Sequence, residues 1–413
     1  MPEESSRRAA RRRNIVLVAS LAFMTIGTGS IYFVVVALKP MSIEFGWPRQ
    51  VPALAYGLQY FGGGVGGILM GWWADRAGMG GPALLGALMI GIGALLTSAI
   101  SGRYELFLIY GVMMGLLGRS TLFSPLMANI TRWFEHNRSR AAGIVGAGQA
   151  LAGALWPPVF QYLFAAVGWR QTAVLYGLFT LATMLPLVLI LRQRPPLPDM
   201  TAPAGPAAGP RRPAAVPPRP ALSPLRFQLT LCAAAIGCCV AMSLPLAHLV
   251  AYVSDLGYDP ARGAEALALM LACGAASSFF GVGYLGQRYG GLRAIAVFSA
   301  MQASFLAVLA VVDGLASLYL AAALFGLGYG GILPTYPVIV REHLPAAEAG
   351  RRTGLVILCA GAGMALGAWL GGALFDLTGT YRNAFLIGVA FNLANLAIIG
   401  ALIWRTRRRP ALA

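Results

Sequence analysis

Charge is scarce in this chain. Asp, Glu, Lys and Arg make up 11% of its 413 residues, where a soluble domain carries about 25%. There are 14 acidic residues and three histidines, and no Asp or Glu falls deep inside an apolar run. The clustered carboxylates or histidines that a membrane-embedded enzyme needs are therefore missing. No stretch reads Gly-x-x-x-x-Gly-Lys-Ser/Thr, which argues against ATP-driven pumping. No Ser-His-Asp grouping is evident. The five cysteines, Cys232, Cys238, Cys239, Cys273 and Cys359, all lie in apolar stretches. Cys238 and Cys239 are too close for a normal zinc pair, and no histidine stands at ligand spacing. They read as small packing residues, neither a disulfide framework nor a metal site. An enzyme, a resident metal and a cofactor are not expected.

What the chain has in abundance is apolar length. Hydrophobic residues make up 58% of it, and the mean hydropathy is +0.70. A bilayer span needs roughly 20 apolar residues. Such runs predict twelve helices, near residues 14–38, 50–74, 82–101, 104–131, 140–166, 171–192, 226–253, 263–285, 292–313, 316–340, 352–376 and 382–404. The fold class expected is an all-α membrane protein with twelve transmembrane helices in two six-helix bundles, 1–192 and 226–413. Residues 193–225 are rich in Pro, Ala and Arg and predict a flexible linker. Arg7, Arg8, Arg11, Arg12 and Arg13 precede the first apolar run in the manner of a signal peptide. That run continues to about Leu38, however, too long for a signal core, so it is expected to stay as a first helix.

The formal net charge is +17, carried by 30 Arg and Lys39. A basic chain can signal nucleic-acid binding, but these cations sit in short segments between apolar runs. With the amino terminus inside, only Lys39, Arg49, Arg103, Arg170, Arg262 and Arg382 fall outside and Arg119 lies within a span. The other cations fall inside. This asymmetry predicts both termini in the cytoplasm and a multi-pass protein of the cytoplasmic (inner or plasma) membrane, with lipid as its surroundings and no nucleic acid.

The two halves repeat. Gly71-Trp72-Trp73-Ala74-Asp75-Arg76-Ala77-Gly78 follows the second helix, and Gly283-Tyr284-Leu285-Gly286-Gln287-Arg288-Tyr289-Gly290 follows the eighth, at an offset of 212 in the numbering. Arg140 and Gly143 match Arg351 and Gly354; Trp169-Arg170 matches Tyr381-Arg382. A six-helix unit repeated in parallel predicts a solute path between the halves, near the membrane midplane.

The segment Gly71-x-x-x-Asp75-Arg76-x-Gly78 resembles the signature loop of the major facilitator superfamily. Glycines there permit a tight turn and close helix approach. Asp75 can accept from a helix amino terminus or a neighbouring Arg, a bond that latches one conformation. Gly71, Asp75, Arg76 and Gly78 are thus the candidate conformational latch. The family usually adds a basic residue where Met79-Gly80 stand here, and Gln287 replaces Asp in the second copy, where a weaker latch is expected. Leu38-Lys39-Pro40 with Phe45-Gly46-Trp47-Pro48-Arg49, and Arg132-Trp133-Phe134 through Gly168-Trp169-Arg170, resemble the monocarboxylate transporter and oxalate/formate antiporter branch. The resemblance implies carriage of a small organic anion. That branch commonly uses a cation in helix 8, and some members a Lys in helix 11. Here neither Ala266–Phe280 of the eighth helix nor Gly354–Phe375 of the eleventh has one.

Arg119 is the sharpest single feature. It lies about fifteen residues, roughly 22 Å, into the fourth helix, where a charge is costly and usually faces a cavity. It could grip a substrate carboxylate in two-point fashion; its structural alternative is to bond backbone carbonyls. His248, in the seventh helix, is the only histidine predicted within a span. It could couple a proton or simply be a hydrogen-bonded helix residue. Tyr32, Asn129, Gln149, Trp156, Thr335, Tyr336 and Tyr329 are candidates to line the path or to bond between helices. Glu105, Glu265, Asp313 and Asp376 read as solvated helix ends, and Trp156-Pro157-Pro158 predicts a kink. The glycine clusters around residues 62–67 and 361–371 read as packing surfaces.

The expected function is secondary transport of a small organic solute, a mono- or dicarboxylate, by alternating access with proton symport or exchange. The alternative is export of a neutral or amphipathic compound with Arg119 structural. A receptor would normally carry a soluble domain, which the Pro/Ala/Arg linker cannot supply. A channel would need rings of like groups around one pore.

Overall fold

The computed structural model describes residues 2–134, 138–193, 223–345 and 348–407. Most of the proposed linker therefore lies outside the described residues, and so does His136. Among the described residues every regular element is helical. We label the rods α1 (Pro2–Phe45), α2 (Gln50–Ala77), α3 (Gly80–Thr97) and α4 (Arg103–Trp133). Arg138–Leu191 bends at Gly168, which separates α5 (138–167) from α6 (169–191). The second half contains α7 (Pro224–Asp255), α8 (260–289), α9 (Gly291–Leu309), α10 (Leu315–His343), α11 (Ala349–Thr378) and α12 (Arg382–Arg407).

Nine of the described helical units are long and apolar enough to cross a membrane. One of the nine holds both α5 and α6. The rods α2 and α8 fall outside the nine, and both are rich in Gly and amphipathic aromatics. Twelve rods result, as expected. The first helix is longer than its apolar run, because the Arg-rich stretch ahead of it is helical too. The kink expected at Trp156-Pro157-Pro158 brings no non-helical torsion; the only one inside Arg138–Leu191 is at Gly168. The junction expected between 166 and 171 is made at Gly168.

The repeat is visible in the backbone itself. Positive φ angles among the described residues occur only at Gly46, Gly78, Gly168, Gly257, Gly290 and Gly379. They pair as Gly46 with Gly257, Gly78 with Gly290, and Gly168 with Gly379, each pair at the same offset as the two motifs to within one position. Only glycine adopts this conformation without strain, so the same three turns punctuate each half. Arg170 donates to the carbonyl of Ser98 at the end of α3. Arg382, its counterpart in the second half, donates to the carbonyl of Ala310 at the end of α9.

Helix approach depends on missing side chains, as expected where lipid supplies no hydrophobic drive to bring helices together. A Cβ on Gly62 or Gly66 of α2 would overlap the backbone of α4 at Gly111 and Leu116. In the second half, Gly326 and Gly330 of α10 stand equally tight on Met270 and Gly274 of α8. Other glycines on α2 and α11 join the halves. Gly57 meets Ala365, and Gly372 meets Gln50. A Cβ on Gly64 would lie 3.5 Å from a Leu358 methyl. A Cβ on the motif glycine Gly71 would meet nothing within 4 Å, so its expected role in close approach is not used in this conformation.

A candidate substrate path closed at one end

The α4 backbone changes register where its charge sits. Leu108–Gly118 is π-helical, and Arg119–Thr121 forms a single tight 3-10 turn before α-helix resumes at Ser124. Such register breaks frequently mark functional positions. Three glycines, Gly111, Gly115 and Gly118, and Pro125 weaken the α-helical preference locally.

Arg119 is half-buried. Its guanidinium lies 4.3 Å from the centre of the Tyr60 ring. Its aliphatic stem rests on Gly63, where a Cβ would come within 2.9 Å of Cδ. Among the described residues no carboxylate pairs with it and no hydrogen bond engages it. Tyr32 of α1 and Tyr56 of α2 lie within electrostatic reach of the guanidinium. Tyr56 and Tyr60 pack with ring centres 5.0 Å apart, and Tyr329 of α10 reaches Tyr32 and Tyr60 in turn. The Tyr32 hydroxyl abuts Gly153 of α5; the Tyr329 hydroxyl abuts Gly274 of α8. One unpaired cation and four phenols thus meet where both halves converge. Tyr56 and Tyr60 were not singled out from sequence. Their i, i+4 spacing on the helix that carries the signature loop was the available signal.

The other candidates go elsewhere. Trp156 donates its indole N–H to the Thr25 carbonyl at 2.9 Å and stacks on Phe160, which ties α5 to α1. Tyr336 is fully buried in the second half with its hydroxyl unpaired. Thr335 bonds the Gly331 carbonyl. Gln149 is half-buried and makes no hydrogen bond among the described residues. Asn129 lines a separate cavity at the end that bears the termini.

At the opposite end the path is shut by ions. Arg49, just before α2, makes a two-point pair with Asp255 at the end of α7. Its guanidinium also lies 3.7 Å from the Phe375 ring centre and bonds the Tyr381 hydroxyl. Lys39 of α1 adds a second cation, 2.9 Å from Asp255. Asp376 of α11, an exposed helix end as expected, also accepts the backbone N–H groups of Arg49 and Gln50 at 2.8 and 3.0 Å. It caps a helix of the other half, where a carboxylate is favoured. Glu265 is likewise engaged, by Arg262 and the Tyr319 hydroxyl.

His248 belongs to this closed end rather than to the tyrosine cluster. It is fully buried. Its Nε2 lies 2.8 Å from the Ala368 carbonyl, which can only accept, so Nε2 carries the proton. Its Nδ1, 3.2 Å from the Tyr381 hydroxyl, is then the acceptor. Tyr381 links the histidine to Arg49.

Toward the terminal end the glycines face open space. Beyond the Gly64 and Leu358 contact, a Cβ on Gly71, Gly286 or Gly354 would have no neighbour within 4 Å. There Asp75 accepts from Arg132 at 2.6 Å, tying α2 to α4. Arg76 lies instead over the Trp72 ring at 4.0 Å. The Gln287 side chain is outside the described residues.

The family model for the Major Facilitator Superfamily matches this chain over residues 18–313 and again over 229–413. The chain belongs to the Major Facilitator Superfamily. Within it, this facilitator is 26% identical to monocarboxylate transporter 13 of Rattus norvegicus over 389 residues, covering 92% of the chain and 85% of the relative. It is 27% identical to monocarboxylate transporter 11 of Homo sapiens, covering 94% and 82%. It is a transporter similar to monocarboxylate transporters, and these relatives are carriers rather than enzymes. Its fold is that of a bacterial homolog of the human lysosomal transporter Spinster in an inward-facing, occupied conformation. The TM-score is 0.74 at 16% identity, covering 97% of this chain and 99% of that one.

Proposed function

We propose that this facilitator is a secondary carrier of a small organic anion, a mono- or dicarboxylate, working by alternating access in the cytoplasmic membrane with both termini inside. The observation that carries this reading is Arg119. It is a cation without a carboxylate partner among the described residues, held over Tyr60 among Tyr32, Tyr56 and Tyr329. A charge at that depth costs several kcal/mol unless something neutralises it, and a substrate carboxylate would do so with charge-assisted hydrogen bonds. In this reading Arg119 takes over the task of the helix 8 and helix 11 cations that the chain lacks, and the tyrosine hydroxyls donate to the remaining carboxylate lone pairs. The moving units are 1–192 and 226–413, joined by 193–225, and they rock about the cluster. The Asp75–Arg132 bond, made in this conformation, latches it and releases in the other.

Proton coupling, if the carrier is a symporter, runs through His248. Its Nδ1 accepts from Tyr381. A proton there turns the acceptor into a donor, so the bond to the Tyr381 hydroxyl reverses and a second positive charge stands near Arg49, which loosens the end that Arg49 holds. In an exchanger a counter-anion would occupy Arg119 instead. The second reading is a carrier of neutral or amphipathic compounds. It is favoured by the cation–π contact, which already gives Arg119 a structural partner.

The test is uptake of labelled monocarboxylates and dicarboxylates into proteoliposomes under an imposed pH gradient, with wild type and Arg119→Gln compared. The expected result is anion uptake by wild type and a loss of at least a hundredfold in a variant that still runs as a folded monomer. Equal uptake by both removes the anion grip. Absence of any carboxylate uptake turns the assignment to neutral solutes.

A further inference from the structure

A cavity distinct from the tyrosine cluster opens at the terminal end of the first half. It has a volume of about 800 Å³ and lies among the start of α3 and the ends of α4 and α6. Its walls divide by chemistry. On one side are Leu84 and Leu189, 44% and 68% exposed, with Leu185 between them. On this membrane-spanning helix pair, exposed leucines face lipid tails. On the other side are Arg132, Arg192 and Asn129. Arg192 is exposed, its stem resting on Gly80, and no ion pair engages it among the described residues. Arg12 stands at the rim, bonded to Gln193 at 2.6 Å.

Asn129 is what makes this more than a greasy cleft with charged edges. The residue is 7% exposed, and its amide nitrogen has no hydrogen-bond partner. A buried, unpaired donor costs about 1–3 kcal/mol and calls for a ligand or water. Here it points to an acceptor entering the cavity beside two arginines.

We propose that this cavity binds an anionic phospholipid. Its phosphate is held by Arg192 and Arg132 with the Asn129 amide, and an acyl chain lies along Leu84, Leu185 and Leu189. Basic pockets between transmembrane helices suit such headgroups, arginine pairs phosphate in a two-point fashion, and the volume fits a headgroup with the first part of a chain. The lipid sits in the leaflet on the terminal side, where most of the chain's cations gather. It also competes with Asp75 for Arg132, so the bound lipid weakens the bond between α2 and α4.

The experiment uses the full chain purified in neutral detergent. Phosphatidylglycerol, phosphatidylcholine and inorganic phosphate are titrated separately, with native mass spectrometry for stoichiometry and thermal melting for affinity. The expected result is one tightly held phosphatidylglycerol per chain, a melting point raised by several degrees, and no comparable effect of phosphatidylcholine. Arg192→Gln should weaken that binding about tenfold or more while leaving the lipid-free melting point in place, since Arg192 is exposed. Asn129→Leu should do the same, because the lost amide nitrogen had no partner. Equal action of both lipids, or wild-type affinity in both variants, overturns the proposal. Inorganic phosphate matching phosphatidylglycerol at equal concentration also overturns it, by making the site one for a free anion.

Discussion

Glu44 and Asp255 stand at equivalent places in the two halves, each at the end of the first helix of its repeat. They do opposite things. Glu44 accepts from the Trp169 indole and from Arg170, both in its own half. Asp255 accepts from Arg49 and Lys39, both in the other half. The aromatics follow suit. Trp169 bonds Glu44, while its counterpart Tyr381 bonds Arg49 across the divide. In the contacts that cross the divide the cations, Lys39 and Arg49, come from the first half, and the carboxylates, Asp255 and Asp376, come from the second. The repeat preserved the backbone, down to paired turn glycines, and let the charges diverge. Two identical halves would repel where they meet; two that differ in sign adhere.

The position of Arg119 diverges in the same way. At the offset of 212 that relates Gly78 to Gly290 and Pro125 to Pro337, Arg119 corresponds to Gly331. Gly331 is packed against the Phe298 ring so closely that no Cβ would fit. One half offers a cation and the other a wall, which suits an asymmetric ion better than a symmetric pore.

The largest effects should come from breaking what the halves share. Gly66→Leu and Gly330→Leu each drive a side chain into backbone on the neighbouring helix, at Leu116 and Gly274. Overpacking of this kind typically costs about 1–3 kcal/mol, and more where backbone must move. Both variants should lose the monomer peak on size-exclusion chromatography. Gly71→Ala and Gly286→Ala, in open space, should melt within about 0.5 kcal/mol of wild type. Equal behaviour of the two sets would remove the close-approach account.

Next in size is the asymmetry itself. Arg49→Ala leaves Asp255 with Lys39 alone and should destabilise the closed end by about 2–3 kcal/mol, below the range for a fully buried pair because Asp255 keeps some exposure. Distances between spin labels at the far ends of α1 and α7 should then broaden toward an open population. Arg170→Ala breaks the equivalent bonds inside one half. It should lower the melting temperature without moving those distances. A shift in both would mean that the charges are not partitioned as described.

Smaller still, Asp75→Asn should alter stability by less than about 1 kcal/mol, because exposed ion pairs contribute little. The Arg132 pair is exposed on both sides, at 47% and 58%. Its effect should appear instead as a several-fold change in transport rate. Smallest of all, Tyr381→Phe removes the hydroxyl between His248 and Arg49. It should cost about 1 kcal/mol and flatten whatever pH dependence uptake shows, whereas Trp169→Phe should leave that dependence alone.

Much of this was legible from residue order. Apolar runs of bilayer length, the repeat of one half in the other and the Gly71–Gly78 motif are local or periodic signals. They carry the twelve helices, the paired turns and the family without reference to any contact. Arg119 was legible too, because a lone charge in an apolar run is conspicuous wherever it points. What the order of residues could not convey is which helices meet. Tyr56 and Tyr60 carry no mark in the residue order; the fold sets them near Arg119 and Tyr329, which lies in the other half of the chain. Asn129 and Trp156 had the right residue types but lie on other faces, one in a peripheral cavity and one tied to Thr25. The capping role of Asp376 was hidden because its partners, the N–H groups of Arg49 and Gln50, are backbone atoms near the opposite end of the sequence. Helix identity follows from hydropathy, which is a property of each segment. Partnership across the two halves follows from helix rotation and register, and only the folded chain decides those.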